Sequence, residues 1–266
     1  MVLRQTLLGA RVVPTKGREI GLEVNVLKKG VTVKSLVAAL PGMGNVGGIA
    51  AAYLIEELKM EPIAEILDYM PPYVLHKNSL IQFERFSFKL YWGGRDFAVF
   101  TGFYQPQDPH VLYELCDDLL DLAVSLGVRR IYTLGAAHTG VSAPEPRVFY
   151  AVTDARLNEE VESYGAQQMR GEGYITGFNG LLLGLAAQRN IEGVCFLGEI
   201  ERPDIAQPRA SIEVLKRLSA ALRIEHLDYT RLEEQVKKVE FYISSLKRVE
   251  EFKQPRTRTD VPPGVM

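Results

Sequence analysis

Gly42, Gly44 and Gly47 stand in "LPGMGNVGG" at the G-x-G-x-x-G spacing, which lets a backbone turn tightly, approach a pyrophosphate and pack a following helix close to a strand. The apolar run "SLVAAL" before the loop reads as a strand and "VGGIAAAYLIEELK" after it as a helix. Glu65 or Asp68 then arrives at about the distance of the acidic residue that holds a ribose. Asn45 lies in the same loop. No Lys, Arg or His occurs between Ala38 and Leu58 to assist a phosphate, although a helix N-terminus can hold an anion by itself. The spacing therefore fits a nucleotide loop, and it fits equally a loop that only turns and packs.

Four more loops sit where α/β proteins place ligands, just beyond strand C-termini: "TGFYQPQ" (101–107), "LGAAHTG" (134–140), "GFNGLLLG" (177–184) and "LGEIERP" (197–203). If the strands are parallel, the loops converge on one edge and bring Gly102, His138, Asn179, Gly180 and Glu199 together. Each has a plainer role open to it. His138 has no Asp or Glu at a fixed spacing, Glu199 can pair with Arg202, and Asn179 can cap the helix that starts at Gly180. There is no nucleophile elbow, no Walker A sequence and no telling pair of carboxylates, so no catalytic residue is assigned. Two distant Cys and four scattered His give no zinc or iron–sulfur spacing; no metal and no cofactor is expected, and Cys116 and Cys195 read as buried thiols.

The elements that hold these loops follow from periodicity. A first core strand at about 33–40, a helix at 46–59 and a strand at 62–69 open the fold. The alternation then breaks down. "FSFKLYW" alternates like a half-buried strand and turns at "GGRD" into "FAVFTG", so a mixed sheet with an antiparallel insertion is expected after the second strand. The second βα unit of a dinucleotide domain is missing. Asp108 before Pro109 starts a helix that Gly127 stops. The strands "RIYTLG", "RVFYAVTD" and "GVCFLGEI" follow, with helices in "ARLNEEVESYG" and "GFNGLLLGLAAQRN". The helices in "GGIAAAYLI" and "GLLLGLAA" are apolar all round, so each must meet the sheet on one side and its own core or another subunit on the other. Helices at about 208–222 and 229–252 end the fold. In the last, Leu232, Val236, Val239, Ile243 and Leu246 recur in steps of four and three, the face of either a partner-binding coiled coil or a helix lying on its own domain.

The expected organisation is one α/β domain over 1–228 with peripheral strands in 1–32, a C-terminal helix at 229–252, and a basic, Pro-rich tail at 253–266 that is extended and mobile. Hydrophobic residues make up 47% and charged residues 24%, and the formal net charge is −2, so neither a nucleic-acid partner nor a membrane is expected. No apolar run reaches 18 residues, and Arg4 and Arg11 interrupt the start, so the expectation is a cytoplasmic protein.

The ordered string "SLVAALPGMGNVGGIAAAYLIEEL", "DFAVFTGFYQPQDPHVLYELCDDLLDLAVSLGVRRIYTLGAAHTG", "PRVFYAVTD" and "GFNGLLLGLAAQRNIEGVCFLGEI" resembles the archaeal branch of the proteasome assembly chaperone family over about residues 33–225. The resemblance implies a three-layer, Rossmann-related and phosphorylase-like mixed sheet flanked by helices, in a homo-oligomer. It also implies ATP-independent binding to proteasome α subunits or their ring as an aid to assembly. Some family members insert a hydrophobic–Tyr–any-residue C-terminus into the α ring; Gly264, Val265 and Met266 do not match that ending. The contrasting reading is an enzyme or binder of a nucleotide-like molecule, a phosphorylase or an ATP-dependent carboxylate–amine ligase, working through the strand-end loops.

Overall fold

The structure, a computed structural model, describes residues 21–68, 74–82 and 85–253, with side chains to Ser245. Residues 1–20 of the expected peripheral strands and the expected tail from residue 254 lie outside them. An outer strand β1 (Glu23–Val26) precedes β2 (Ser35–Ala38), α1 (Val46–Glu57) and β3 (Glu61–Asp68). A small hairpin, β4 (Leu75–Lys77) and β5 (Leu80–Gln82), is followed by β6 (Phe86–Trp92) and β7 (Phe97–Thr101). Then come α2 (Pro109–Ser125), β8 (Arg130–His138), β9 (Val148–Val152), α3 (Asn158–Ser163), β10 (Gln167–Gln168), α4 (Gly177–Gln188), β11 (Glu192–Ile200), α5 (Pro208–Leu222) and α6 (Thr230–Lys253).

The ends of α2 show why local sequence fixes these bounds. The Asp108 carboxylate accepts a hydrogen bond of 2.8 Å from the His110 amide, Pro109 sets the first turn, and Gly127 leaves the helix at φ +82°.

Nine strands form one sheet in the order β1-β3-β6-β7-β2-β8-β11-β9-β10. The neighbours β7, β2, β8 and β11 are parallel, while β6 is antiparallel to both β3 and β7. The expected antiparallel insertion therefore lies inside the sheet: β6 and β7 separate β2 from β3, the strand that β2 reaches through α1. Because the four central strands are parallel, their C-terminal ends and the loops after them share one edge.

Helices cover both faces. On one, α1, α5 and the start of α6 pack on Val37, Val99, Tyr132, Leu134 and Phe196; on the other, α2 and α4 pack on Leu36, Phe100, Ile131 and Cys195. The two all-apolar helices are thereby explained. α1 packs on the sheet and against α5 beside it, and α4 packs on the sheet and against α2, with Ala50, Leu54, Leu182 and Ala186 fully buried. Each such Leu contributes about 1.5–3 kcal/mol of burial.

The apolar face of α6 turns inward rather than to a partner over its first half. Leu232 and Val236 are buried in the same core as α5, and Val239 and Ile243 are half-buried beyond them. Arg231 pairs with Glu56 and Glu57 of α1, and the Tyr53 hydroxyl donates to the Asp228 carbonyl, which fastens the start of α6 to α1. Leu246 lies in α6 past the last described side chain. No helix of the described residues is long and apolar enough to cross a membrane.

Candidate functional site

β2 and β8 run together only as far as Ala38 and Thr133. Beyond that point the Ala39 amide turns to the Phe100 carbonyl of β7 (3.0 Å), while β8 continues beside β11 as far as His138. A parallel sheet that divides in this way opens a crevice at its strand ends, the usual ligand position in open α/β sheets. Here the chain fills the crevice itself. The Leu134 carbonyl, one residue past the last pair, accepts a hydrogen bond of 3.0 Å from Asn179 Nδ2 on α4. From the opposite face α1 presses Gly47 on the same carbonyl: a Cβ at Gly47 would lie 2.2 Å from its oxygen. Gly47 and Asn179 thus meet at one backbone group from the two sides of the sheet.

The rest of the glycine loop is also occupied. Gly44, at φ +58°, donates its amide to the Pro203 carbonyl and accepts from the Gln207 amide, both at 2.8 Å. A Cβ at Gly44 would sit 2.7 Å from Gln207 Cγ. Gly42 is exposed and its carbonyl accepts from the Asn45 amide, while Asn45 takes the left-handed conformation at φ +48° with its Oδ1 buried against Gly48. Residues 203–207 therefore sit on the loop where a phosphate would approach.

The other expected residues divide. Asn179 is not a helix cap: α4 begins at Gly177 with Thr176 in the cap position, and the Phe178 amide is met by Gln105 Oε1 at 3.2 Å. Gly180 and Gly102 are packing positions, pressed on the Ile175 carbonyl and the Phe88 ring. Glu199 pairs with Arg147 rather than Arg202, which is engaged with Asp204. Thr139 Oγ1 also donates to the buried Glu199 carboxylate, at 2.9 Å. These bonds, led by the one from Arg147, hold the Glu199 carboxyl down at about 2. His138 is exposed and donates to the Glu201 carbonyl at 3.1 Å. Among the described residues no group of three or more His, Cys, Asp or Glu is placed to hold a metal.

Gln105, Gln207, Arg147 and Thr139 were missed from the sequence because each acts on a residue far along the chain or on backbone. Nothing local marks them; the one local trace of the crevice is the run of small residues "LGAA" in β8, where Gly135 makes room for Asn179: a Cβ there would lie 2.4 Å from Nδ2. Above the filled crevice the loops carry exposed side chains, Met43, Phe103 (84% exposed) and Tyr174 (96%). Gln105 holds the loop of Phe103 against the start of α4, just after Tyr174. An open concavity of about 620 Å³ lies elsewhere, along β9 and β10, between Arg147, Phe149 and Arg170.

Residues 36–247 match the PAC2 family. "Uncharacterized protein MJ1210" of Methanocaldococcus jannaschii is 30% identical over 218 residues, 81% of this chain and 84% of that protein. In structure the chain is similar to Pyrococcus furiosus PbaB, "an archaeal proteasome activator", with 29% identity, a TM-score of 0.76, and coverage of 86% of this chain and 100% of that one. P. furiosus PbaA, "an archaeal homolog of proteasome-assembly chaperone", shares the fold at 22% identity and a TM-score of 0.69, with 87% of this chain and 100% of that one covered. With a match that runs from β2 into α6 and a relative alike over four-fifths of both chains, this chain belongs to the PAC2 family.

Proposed function

We propose that this protein binds proteasome α-type subunits, or the ring they form, and assists their assembly without ATP, as a cytoplasmic homo-oligomer. The observation that carries this reading is the filled crevice. A nucleotide at the glycine loop would have to displace Gln207, Pro203 and Asn179, whose hydrogen bonds are satisfied by the fold. What the strand-end loops offer instead is a projecting apolar and aromatic surface, the kind of anchor on which protein interfaces rest. Likeness to a proteasome activator and to an assembly-chaperone homologue supports the class of partner.

Native mass spectrometry of the protein alone and mixed with archaeal α subunits tests the reading. The expected result is a homo-oligomer that gains α-subunit mass, with Phe103→Ser plus Tyr174→Ser weakening the complex at least tenfold. Failure to associate with α subunits, or a rise in Tm with a nucleotide or nucleoside, would overturn it. The likeness to PbaB favours a second reading of the same surface, engagement of the finished particle. Peptide hydrolysis by assembled proteasome, measured with and without the protein, separates the two.

A further inference from the structure

The β4–β5 hairpin stands apart from the nine-stranded sheet. Among the described residues β5 pairs with β4 alone, in the register Leu75↔Gln82, His76↔Ile81 and Lys77↔Leu80. Asn78 and Ser79, at φ +49° and +64°, form the two-residue turn. A lone two-stranded hairpin is marginal in water, whereas three or more strands with an apolar face are stable. This one leaves Leu80 65% and Ile81 71% exposed, and Val74 and Leu75 about half. Because side chains alternate along a strand, Leu75 and Leu80 lie on one face of the hairpin and Val74 and Ile81 on the other, so each face shows two exposed apolar side chains.

Charge and register select what covers it. The outer edge of β4 carries His76 and Lys77, and a lysine on an edge strand discourages pairing; two copies of β4 side by side would also oppose like charges. β5, Leu80-Ile81-Gln82, carries no charge and no proline. Because Lys77↔Leu80 closes a two-residue turn, it is a hydrogen-bonded pair, and pairs alternate along an antiparallel ladder. The Ile81 amide and carbonyl therefore point away from β4, toward the other edge of β5, which no described strand pairs. Two copies related by a twofold axis pair antiparallel by symmetry, and centring on Ile81 lets the two residues exchange both of their backbone hydrogen bonds.

We propose that β5 is a self-association edge, at which two copies of this chain join through Leu80–Gln82 into a four-stranded antiparallel sheet. This deepens, and rests on, the homo-oligomer part of the proposed function. The test is native mass spectrometry and light scattering of wild type, Leu80→Lys/Ile81→Lys and Lys77→Ala, each at micromolar concentration with Tm recorded. The edge double variant is expected to halve the particle mass with Tm within a few degrees, because both sites are exposed, and Lys77→Ala to keep the wild-type mass. Concentration-dependent hydrogen exchange at the Ile81 amide of wild type, protected when concentrated and fast when dilute, decides the matter if the double variant does not fold. An unchanged mass in the double variant, a monomeric wild type, or an Ile81 amide that exchanges fast at every concentration overturns the proposal. Loss of α-subunit mass with the oligomer intact also overturns it, since the edge would then be the docking site of another protein. A halved mass that still gains α subunits, or that never did, leaves the edge standing and reports on the α-subunit reading separately.

Discussion

Gly47→Ala adds one methyl group at the point where α1 and β8 touch. That methyl would lie 2.2 Å from the Leu134 oxygen, 3.0 Å from its carbon and 3.2 Å from Ala39 Cβ, so helix and strand must part by roughly 1 Å to reach ordinary contact. Neither side yields readily. The carbonyl is held from behind by Asn179, β8 is paired on both sides through Thr133, and α1 is anchored by Ala50, Ala51 and Leu54. Overpacking of this kind costs about 1–3 kcal/mol, against which replacing a helical glycine by alanine returns at most ~1 kcal/mol. With that return counted in full the net cost is about 0–2 kcal/mol, and at about 2–4 °C per kcal/mol for a chain of this size Tm should fall by up to ~8 °C and should not rise. Gly184→Ala is the control: it is the same change within α4, where an added Cβ meets nothing within 4 Å, and Tm should rise by about 2–4 °C. Circular-dichroism melts and urea unfolding of the three proteins, without added ligand, measure both shifts. If Gly47→Ala raises Tm as Gly184→Ala does, α1 is not pressed on β8 and the filled-crevice reasoning fails. A glycine kept only for a ligand would show that behaviour, losing ligand affinity and no stability.

Two further outcomes follow from the buried titratable groups. Glu199 has its folded pKa depressed to about 2 through Arg147, so its contribution is complete above the unfolded carboxylate range and is lost as pH falls from about 5 to about 2. Glu199→Gln should flatten the acid limb of stability in that window and cost about 1–3 kcal/mol at pH 7, since Arg147 is half-exposed and regains water; an acid limb as steep as wild type removes Glu199 as its source. Burial pushes the Cys116 thiol up to about 12 and the Cys195 thiol up to about 11, which leaves on the order of one thiolate in a thousand, or fewer, at pH 8. A thiol reagent such as Ellman's should find no reactive group in the folded protein and two in urea, and fast labelling of either in the native state contradicts the packing of α2 or β11.

The residues differ in how far from home their partners lie, and that distance separates what the sequence reveals from what it hides. The cap at Asp108, the stop at Gly127 and the G-x-G turn are local, and each appears where its spacing put it. Asn179 and Glu199 looked local too, one as a cap and the other beside Arg202. Their partners are 45 and 52 residues away, and beside Glu199 the near candidate Arg202 is engaged with Asp204 two positions on. Sheet order is hidden for the same reason. Alternation in "FSFKLYW" announces a hairpin, but nothing local says that it inserts between β2 and β3. The four-and-three stepping of α6 is the same for a helix that meets a partner and one that meets α5; only the burial of Leu232 and Val236 separates them.

A sheet that divides at its strand ends leaves backbone groups and space that something must satisfy. In this chain Asn179, Gln207 and Pro203 meet most of that need, while Asn45 Oδ1 in the glycine loop stays buried with no hydrogen-bond partner among the described residues, and the consequence reaches the surface. The loop after β7 is tied to α4 by Gln105, and the glycine loop is tied to residues 203–207 by two backbone bonds, so each is held by the fold itself. Loops held in this way present Phe103 and Met43 from fixed backbone. Ordering a loose side chain at an interface costs about 0.5–1.5 kcal/mol, so a partner meeting this surface would be spared part of that cost. On the function proposed above, the contacts that fill the strand ends and the loops that would meet a protein partner draw on the same few residues.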